Sequence, residues 1–197
     1  MINHLKAYFY THQLGVGTPG GCEAAVHAAR RYLESLPSDH VLVKLDFTNA
    51  FNGLHRRQML LSVYSRIPEL YANCQSAYRY SSCLFFGPYM VLSEEGPQQG
   101  DPTGPLLFSN TIHPTLSSLK SCLNLEYLDD ITLGGSAKTV AADIREIIRA
   151  GAAIGLSLNV DKCELITHRD FQAVFKNTYF MFFFRFQKYM TFYVFFK

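Results

Sequence analysis

The sequence predicts an α+β fold, an antiparallel sheet with helices packed on one face. Three observations carry this reading. The order of segments is strand, helices, hairpin, helix, hairpin, helix, strand, without the regular strand–helix alternation of a parallel sheet. Two of the β-prone stretches fold back on themselves across short turns, as antiparallel neighbours do. Hydrophobic residues make up 48% of the 197 residues and charged residues 17%, enough apolar material for a core and too little charge for a disordered chain.

The elements follow in order. "TPGGCEAAVHAARRYLESL" opens on Pro-Gly punctuation and places Ala25, Ala28, Ala29, Tyr32, Leu33 and Leu36 at helical spacing, and "PSD" ends that helix. "HVLVKLDF" is a nearly continuous β-branched and Leu run, which reads as a buried strand ending at Asp46. "TNAFNG" turns the chain. "HRRQMLLSVYSRI" and "PELYANCQSAYRY" read as two helices, with Pro68 opening the second. "CLFFGPYMVLSEEG" is a hairpin across Gly87-Pro88. "PQQGDPTGPLLFSNTIHPTLSSL" begins as a Gly/Pro-rich loop and becomes an apolar helix. "NLEYLDDITLGG" is a second hairpin with Asp129 and Asp130 at its tip. "SAKTVAADIREIIRAGAAIG" is an amphipathic helix with Ala142, Ile144, Ile147 and Ile148 as core candidates, and "LSLNVDKCELI" is a last strand-turn-strand. There is no internal repeat.

Residues 171–197 differ from the rest. Nearly half are Phe or Tyr, and no acidic residue follows Asp170. Arg185 and Lys188 interrupt the roughly 20 apolar residues a membrane span requires. This segment reads either as lying outside the fold, such as translated non-coding sequence, or as a poorly soluble terminal strand or helix. The five cysteines are scattered without CxxC spacing, which implies reduced thiols, an intracellular setting (nucleus and cytoplasm are not distinguished) and no zinc site. "MINHLKAYFYTHQLG" has no apolar core of a signal peptide. Net charge is only +2 and pI about 8.2, so no basic footprint announces nucleic-acid binding, although a locally basic cleft stays compatible with it.

The carboxylates pose the chemical question. In an antiparallel sheet the strand ending at Asp46 can lie beside the Asp129-Asp130 hairpin, which gathers three carboxylates at one end. Two unit charges about 4 Å apart repel by roughly 4 kcal/mol at an effective dielectric near 20. Divalent cations would reverse that cost, and all-oxygen ligands suit Mg²⁺. Taken alone, an Asp-Asp pair in a hairpin is far more often ordinary turn chemistry.

Four segments together resolve the ambiguity. "VKLDFTNAFN", "EEGPQQGDPTGPLLFS", "YLDDITLGG" and "GLSLNVDKCELI", in this order, resemble the A, B, C and D motifs of a reverse transcriptase palm, most closely of the non-LTR (LINE-like) retrotransposon type. "QLGVGTPGGCEAAVHAARRYLE" resembles the fingers segment that precedes motif A. The resemblance covers roughly Gln13 to Ile166. It implies a polymerase palm with partial fingers: residues 1–40 a fingers segment, 41–169 the palm, and 170–197 the aromatic-rich tail. It also implies RNA-directed DNA synthesis, with two Mg²⁺ ions (Mn²⁺ substituting) held by Asp46, the Phe47 backbone carbonyl, Asp129 and Asp130. Phe51 matches the aromatic that blocks a ribose 2′-hydroxyl; read alone it equally caps the core at a strand–helix turn. Gln99 and Gly100 match the motif B pair that contacts nucleotide or template. Tyr127 and Leu128 complete a Y-x-D-D box at the primer end, with Leu128 in place of the family's frequent Ala. Pro97 and Thr103 also depart from the family's usual apolar residues. Lys162 fits the motif D lysine that protonates or neutralises the leaving pyrophosphate; read alone it is a surface Lys in a turn. Arg56, Arg57 and Lys44 read as solvated or template-near charges.

The implied partners are an RNA template, a DNA primer and dNTPs, with no membrane. Family members carry a longer basic fingers region and a thumb, so the resemblance implies a truncated chain with little processive synthesis of its own. Three other readings stand beside it: a nucleotide cyclase on a similar sheet, which would not need "PQQGDP"; an intron-encoded maturase; and a non-catalytic retrotransposon relic or RNA-binding remnant.

Overall fold

In the computed structural model, which describes residues 2–10 and 12–168, the chain builds a four-stranded sheet from strands scattered along its length. The elements are α1 (Ile2–Phe9), α2 (Gly21–Glu34), β1 (His40–Leu45), α3 (Ala50–Gly53), α4 (Arg56–Arg66), α5 (Pro68–Tyr78), β2 (Ser82–Phe86), β3 (Tyr89–Ser93), α6 (Gly104–Leu116), β4 (Leu123–Tyr127), β5 (Asp130–Ser136), α7 (Ala137–Ala153) and β6 (Glu164–Thr167), with a 3₁₀ turn at Val160–Lys162. The strand order is β4-β5-β1-β6 and every pairing is antiparallel. The expected α+β architecture is therefore present. The expected aromatic tail lies outside the described residues.

Strand alternation decides what each face of the sheet carries. Val43 and Leu45 of β1 and Ile131 and Leu133 of β5 point to the main core, where they meet Met59 and Val63 of α4, Leu107, Phe108 and Ile112 of α6, and Val140 and Ile147 of α7. Between Leu107 and His113 every residue of α6 is buried, so this helix crosses the interior. Leu42 faces the other way and packs with Leu33 and Leu36 at the end of α2. Tyr32 of that helix stands over Gly134, where an added Cβ would come within 2.7 Å of its ring. Helices thus cover both faces, and the segment expected as partial fingers supplies the one on the second face.

Two further differences have local causes. Ala142 and Ile148, expected in the core, are exposed; the buried stripe of α7 runs through Val140, Asp143, Ile147 and Gly151. Asp143 is drawn inward because its carboxylate accepts the Lys120 and Ser121 amides and the Ser121 hydroxyl, at 2.5–3.1 Å, so it caps the loop before β4. The hairpin across Gly87-Pro88 forms, but β2 and β3 pair only with each other and stay outside the main sheet, with Phe85, Phe86, Tyr89 and Met90 exposed.

Candidate functional site

Register brings the first carboxylate to the hairpin. The β1–β5 ladder ends at the pair Leu45↔Ile131, so the next step along both strands sets Asp46 against Asp130. Tyr127↔Asp130 closes the β4–β5 hairpin, leaving a two-residue loop of Leu128 and Asp129. Leu128 occupies a left-handed conformation, φ 58°. That conformation costs a side-chain-bearing residue about 1–2 kcal/mol and persists only where neighbours hold it. Here the holder is Gln13, fully buried and outside the expected site. Its Oε1 accepts the Leu128 amide at 3.0 Å and the Gly15 amide at 2.8 Å, and its Nε2 donates to the Leu128 carbonyl at 3.5 Å.

Charge at this end is unbalanced. Burial pushes the Asp129 carboxyl above its ordinary range; the backbone amide of Asp129 offsets part of that, the neighbouring Asp130 and Asp46 add to it, and Lys44 opposes it. Lys44 Nζ lies 3.2 Å from Asp130 Oδ1. Lys44 is therefore a partner of the carboxylates rather than a solvated charge. Strand alternation explains why: it points to the face opposite Val43 and Leu45, level with Thr132. Among the described residues no group of three or more His, Cys, Asp or Glu side chains is placed to hold a metal ion. The carboxylates are gathered at one end without a cage around them. The donors present are all oxygens and carry surplus negative charge, which fits a hard divalent cation rather than zinc.

The backbone around Asp46 is tied to the last segment of the chain. The Asn159 amide donates to the Asp46 carbonyl at 2.8 Å, the Thr48 amide donates to the Ser157 carbonyl at 2.9 Å, and Phe47 bridges Leu158. Phe47 itself is buried. Lys162 is exposed on the 3₁₀ turn three residues beyond Asn159, so these hydrogen bonds bring its turn to the Asp46 end of the sheet.

A separate cleft of about 360 Å³ is lined by Phe51, Pro97, Gln98, Gln99, Gly100, Asp101, Gly104 and Pro105. Phe51 is half-buried and stacks on Phe108, with ring centroids 4.7 Å apart and planes at 22°. Phe51 therefore packs on the core and also lines the cleft. Gln99 and Gly100 are exposed. Gly100 has φ 92°, and a Cβ there would meet nothing within 4 Å, so glycine is required by the turn and the space beside it is open.

What shapes this loop is Arg56, which is buried rather than solvated. Its guanidinium donates to the Gly96 carbonyl at 2.9 Å, the Ser93 carbonyl at 2.7 Å, the Ser93 hydroxyl at 2.8 Å and the Tyr80 carbonyl at 3.4 Å, and its backbone amide donates to Glu95 at 2.6 Å. It also lies over the Tyr78 ring. The Tyr78 hydroxyl donates to Asp101, which in turn accepts the Thr103 amide and hydroxyl, each at 2.7 Å. Burial pushes Tyr78 up to about 12, and Asp101 adds to this. Burial also pushes Asp101 up, but the bonds from Tyr78 and Thr103 outweigh it and hold the carboxyl below its ordinary value.

The expected residues fall into two groups: Asp46, Phe47, Tyr127, Leu128, Asp129, Asp130 and the Lys162 turn at one end of the sheet, and Phe51, Gln99 and Gly100 around the cleft. Gln13, Lys44 and Arg56 are additions. Only Lys44 had a sequence signal, its place in β1 two residues before Asp46.

Residues 1–183 match the family described as reverse transcriptase (RNA-dependent DNA polymerase). Among curated proteins none matches the sequence. Among solved structures the chain is similar to apo telomerase from Candida tropicalis truncated from its C-terminal domain: TM-score 0.61 at 14% identity, over 83% of this chain and 38% of that one. Untruncated apo telomerase from the same organism gives 0.62 at 12%, over 84% and 35%. Telomerase from Candida albicans with a fragment of telomeric RNA gives 0.54 at 12%, over 86% and 35%. At these identities the likeness concerns the fold, and the chain spans little more than a third of each telomerase chain.

Proposed function

The chain belongs to the reverse transcriptase family, and from that premise we propose that it is the palm, with part of the fingers, of an RNA-directed DNA polymerase of the non-LTR, LINE-like retrotransposon type. The wording of its motifs supports the subtype. The division at residues 40 and 169 belongs to the same proposal. The observation that supports the activity is the β1–β5 register, whose last pair, Leu45↔Ile131, lies one residue from both Asp46 and Asp130, beside the Asp129 turn.

In this reading Asp46, Asp129, Asp130 and the Phe47 carbonyl would hold two Mg²⁺. When bound, such a pair stabilises both the attacking and the leaving oxygen of phosphoryl transfer. The primer 3′-oxygen bonds to the α-phosphorus of a dNTP while the bond to pyrophosphate breaks. Phe51 lies beneath the sugar and excludes a 2′-hydroxyl. Gln99 and the open backbone at Gly100 take the nascent base pair from one side, and Tyr127 and Leu128 abut the primer end. Lys162 gives a proton or its charge to the departing pyrophosphate. Lys44 offsets part of the negative charge when no cation is present.

The test is Mn²⁺ binding to the full chain, followed by its paramagnetic resonance signal, with and without dTTP and an RNA/DNA primer-template. Asp46→Asn and Asp129→Asn are the comparisons. We expect binding that nucleotide strengthens and that either substitution abolishes. Binding indifferent to both substitutions in folded protein would point instead to a non-catalytic relic.

A further inference from the structure

The carboxylate turn is not held by its own hairpin alone. Residues 12–15 run alongside the outer edge of β4: the Glu126 amide donates to the His12 carbonyl at 2.8 Å, the Leu14 amide donates to the Glu126 carbonyl at 2.7 Å, and Gln13 pairs in parallel with Glu126. This strap ends in the Gln13 carboxamide. One oxygen accepts two backbone amides, Leu128 on the turn and Gly15 on the strap, while the amide nitrogen of the same side chain reaches the Leu128 carbonyl. Gly15 completes the fit, since a Cβ there would lie 2.8 Å from the Leu128 side chain. The side chain that grips the turn is fully buried, and Leu128 is one of two non-glycine residues with positive φ among those described.

We propose that Gln13 is a positioning residue for the metal-holding turn: its carboxamide fixes the backbone of Leu128 and so sets where the adjacent Asp129 carboxylate stands. The proposal rests on the reading of Asp129 as a metal ligand. Gln13 touches no substrate or metal in this scheme; it acts through Leu128.

The experiment uses the full chain and two readouts. Gln13→Met keeps the length of the side chain and removes all three hydrogen bonds. Gly15→Ala crowds Leu128 from the strap side. Asp143→Asn weakens a buried hydrogen-bonding cluster away from the turn and serves as the structural control. Amide hydrogen exchange is read at Leu128, with Ile131 and Leu133 as references in the same hairpin. Mn²⁺ affinity is read by paramagnetic resonance at a temperature where all variants remain folded. Expected is faster exchange at Leu128 with the strand amides still protected, and Mn²⁺ binding weakened about tenfold in both Gln13→Met and Gly15→Ala, as for other groups that orient a ligand. Asp143→Asn should bind as wild type even though it melts earlier. Unchanged exchange at Leu128, or local loosening with wild-type Mn²⁺ affinity, would overturn the proposal. A wild-type chain whose Mn²⁺ binding is indifferent to Asp129→Asn removes the reading of the site and this proposal with it. That case is recognised by Asp129→Asn behaving as wild type.

Discussion

Asp129 carries a pH signature of its own. Its folded-state pKa stands above the ordinary carboxylate value, because it is buried and has Asp130 and Asp46 beside it. Between the ordinary and the raised value folding therefore takes up a proton. The contribution to stability is complete below the ordinary value and is lost as pH rises through the folded one. Without divalent cations, Asp129→Asn should remove that loss and melt higher than wild type at neutral pH. At acid pH the two should converge, and thermal scans across pH check both limits. The same substitution is expected to abolish metal binding, so stability and site chemistry pull in opposite directions at this position. The three carboxylates were legible in the sequence because motif order singles them out. Gln13 and Arg56 were not, because each partner is fixed by long-range contact: Gln13 meets Leu128 across 115 positions and Arg56 meets Gly96 across 40.

Among the elements, the loop that carries Gln99 and Gly100 depends on the first residue of α4. Arg56→Met keeps much of the side-chain bulk but leaves the Ser93 and Gly96 carbonyls without their donor. We expect a loss of roughly 3 kcal/mol, in the range for breaking a buried charged network, read by urea unfolding. Arg57→Met, exposed one position on, should stay within about 0.5 kcal/mol. Sequence periodicity located α2, α4, α5, α6 and α7, read Ala50–Gly53 as a turn, and on α7 placed Ile144 and Ile147 correctly but not Ala142 and Ile148. Apolar spacing favoured Ala142 and Ile148, whereas the buried turn of the helix is chosen by Asp143 and its loop amides. Hydrophobic patterning has no means of anticipating an acid placed inward for its hydrogen bonds. The two hairpins were legible from their turns, yet only one joins the main sheet, since turn chemistry says nothing about which edge a ribbon meets.

For the whole molecule, charge sets the expectation for nucleic acid. With 18 basic and 16 acidic residues the chain offers little net attraction to a phosphate backbone. A primer-template should therefore bind with Kd above about 1 µM near physiological salt, and log K should fall with log salt by a slope of only about −2 to −3. Fluorescence anisotropy at several salt concentrations measures both; nanomolar binding with a steep slope would mean that a concentrated basic path outweighs the balance. The antiparallel α+β layout was legible from segment order, whereas the cover of the second face by α2 was not, because Leu33 and Leu36 look the same in sequence whichever face receives them. The strap that grips the turn also has a consequence in time. At roughly 5–20 residues per second of synthesis, Gln13 leaves the ribosome about 6–23 s before the Leu128 it will hold. For the later part of that interval the nascent chain carries Asp46 and Phe51 without the β4–β5 hairpin beside them, so this end of the sheet closes only once that hairpin has emerged.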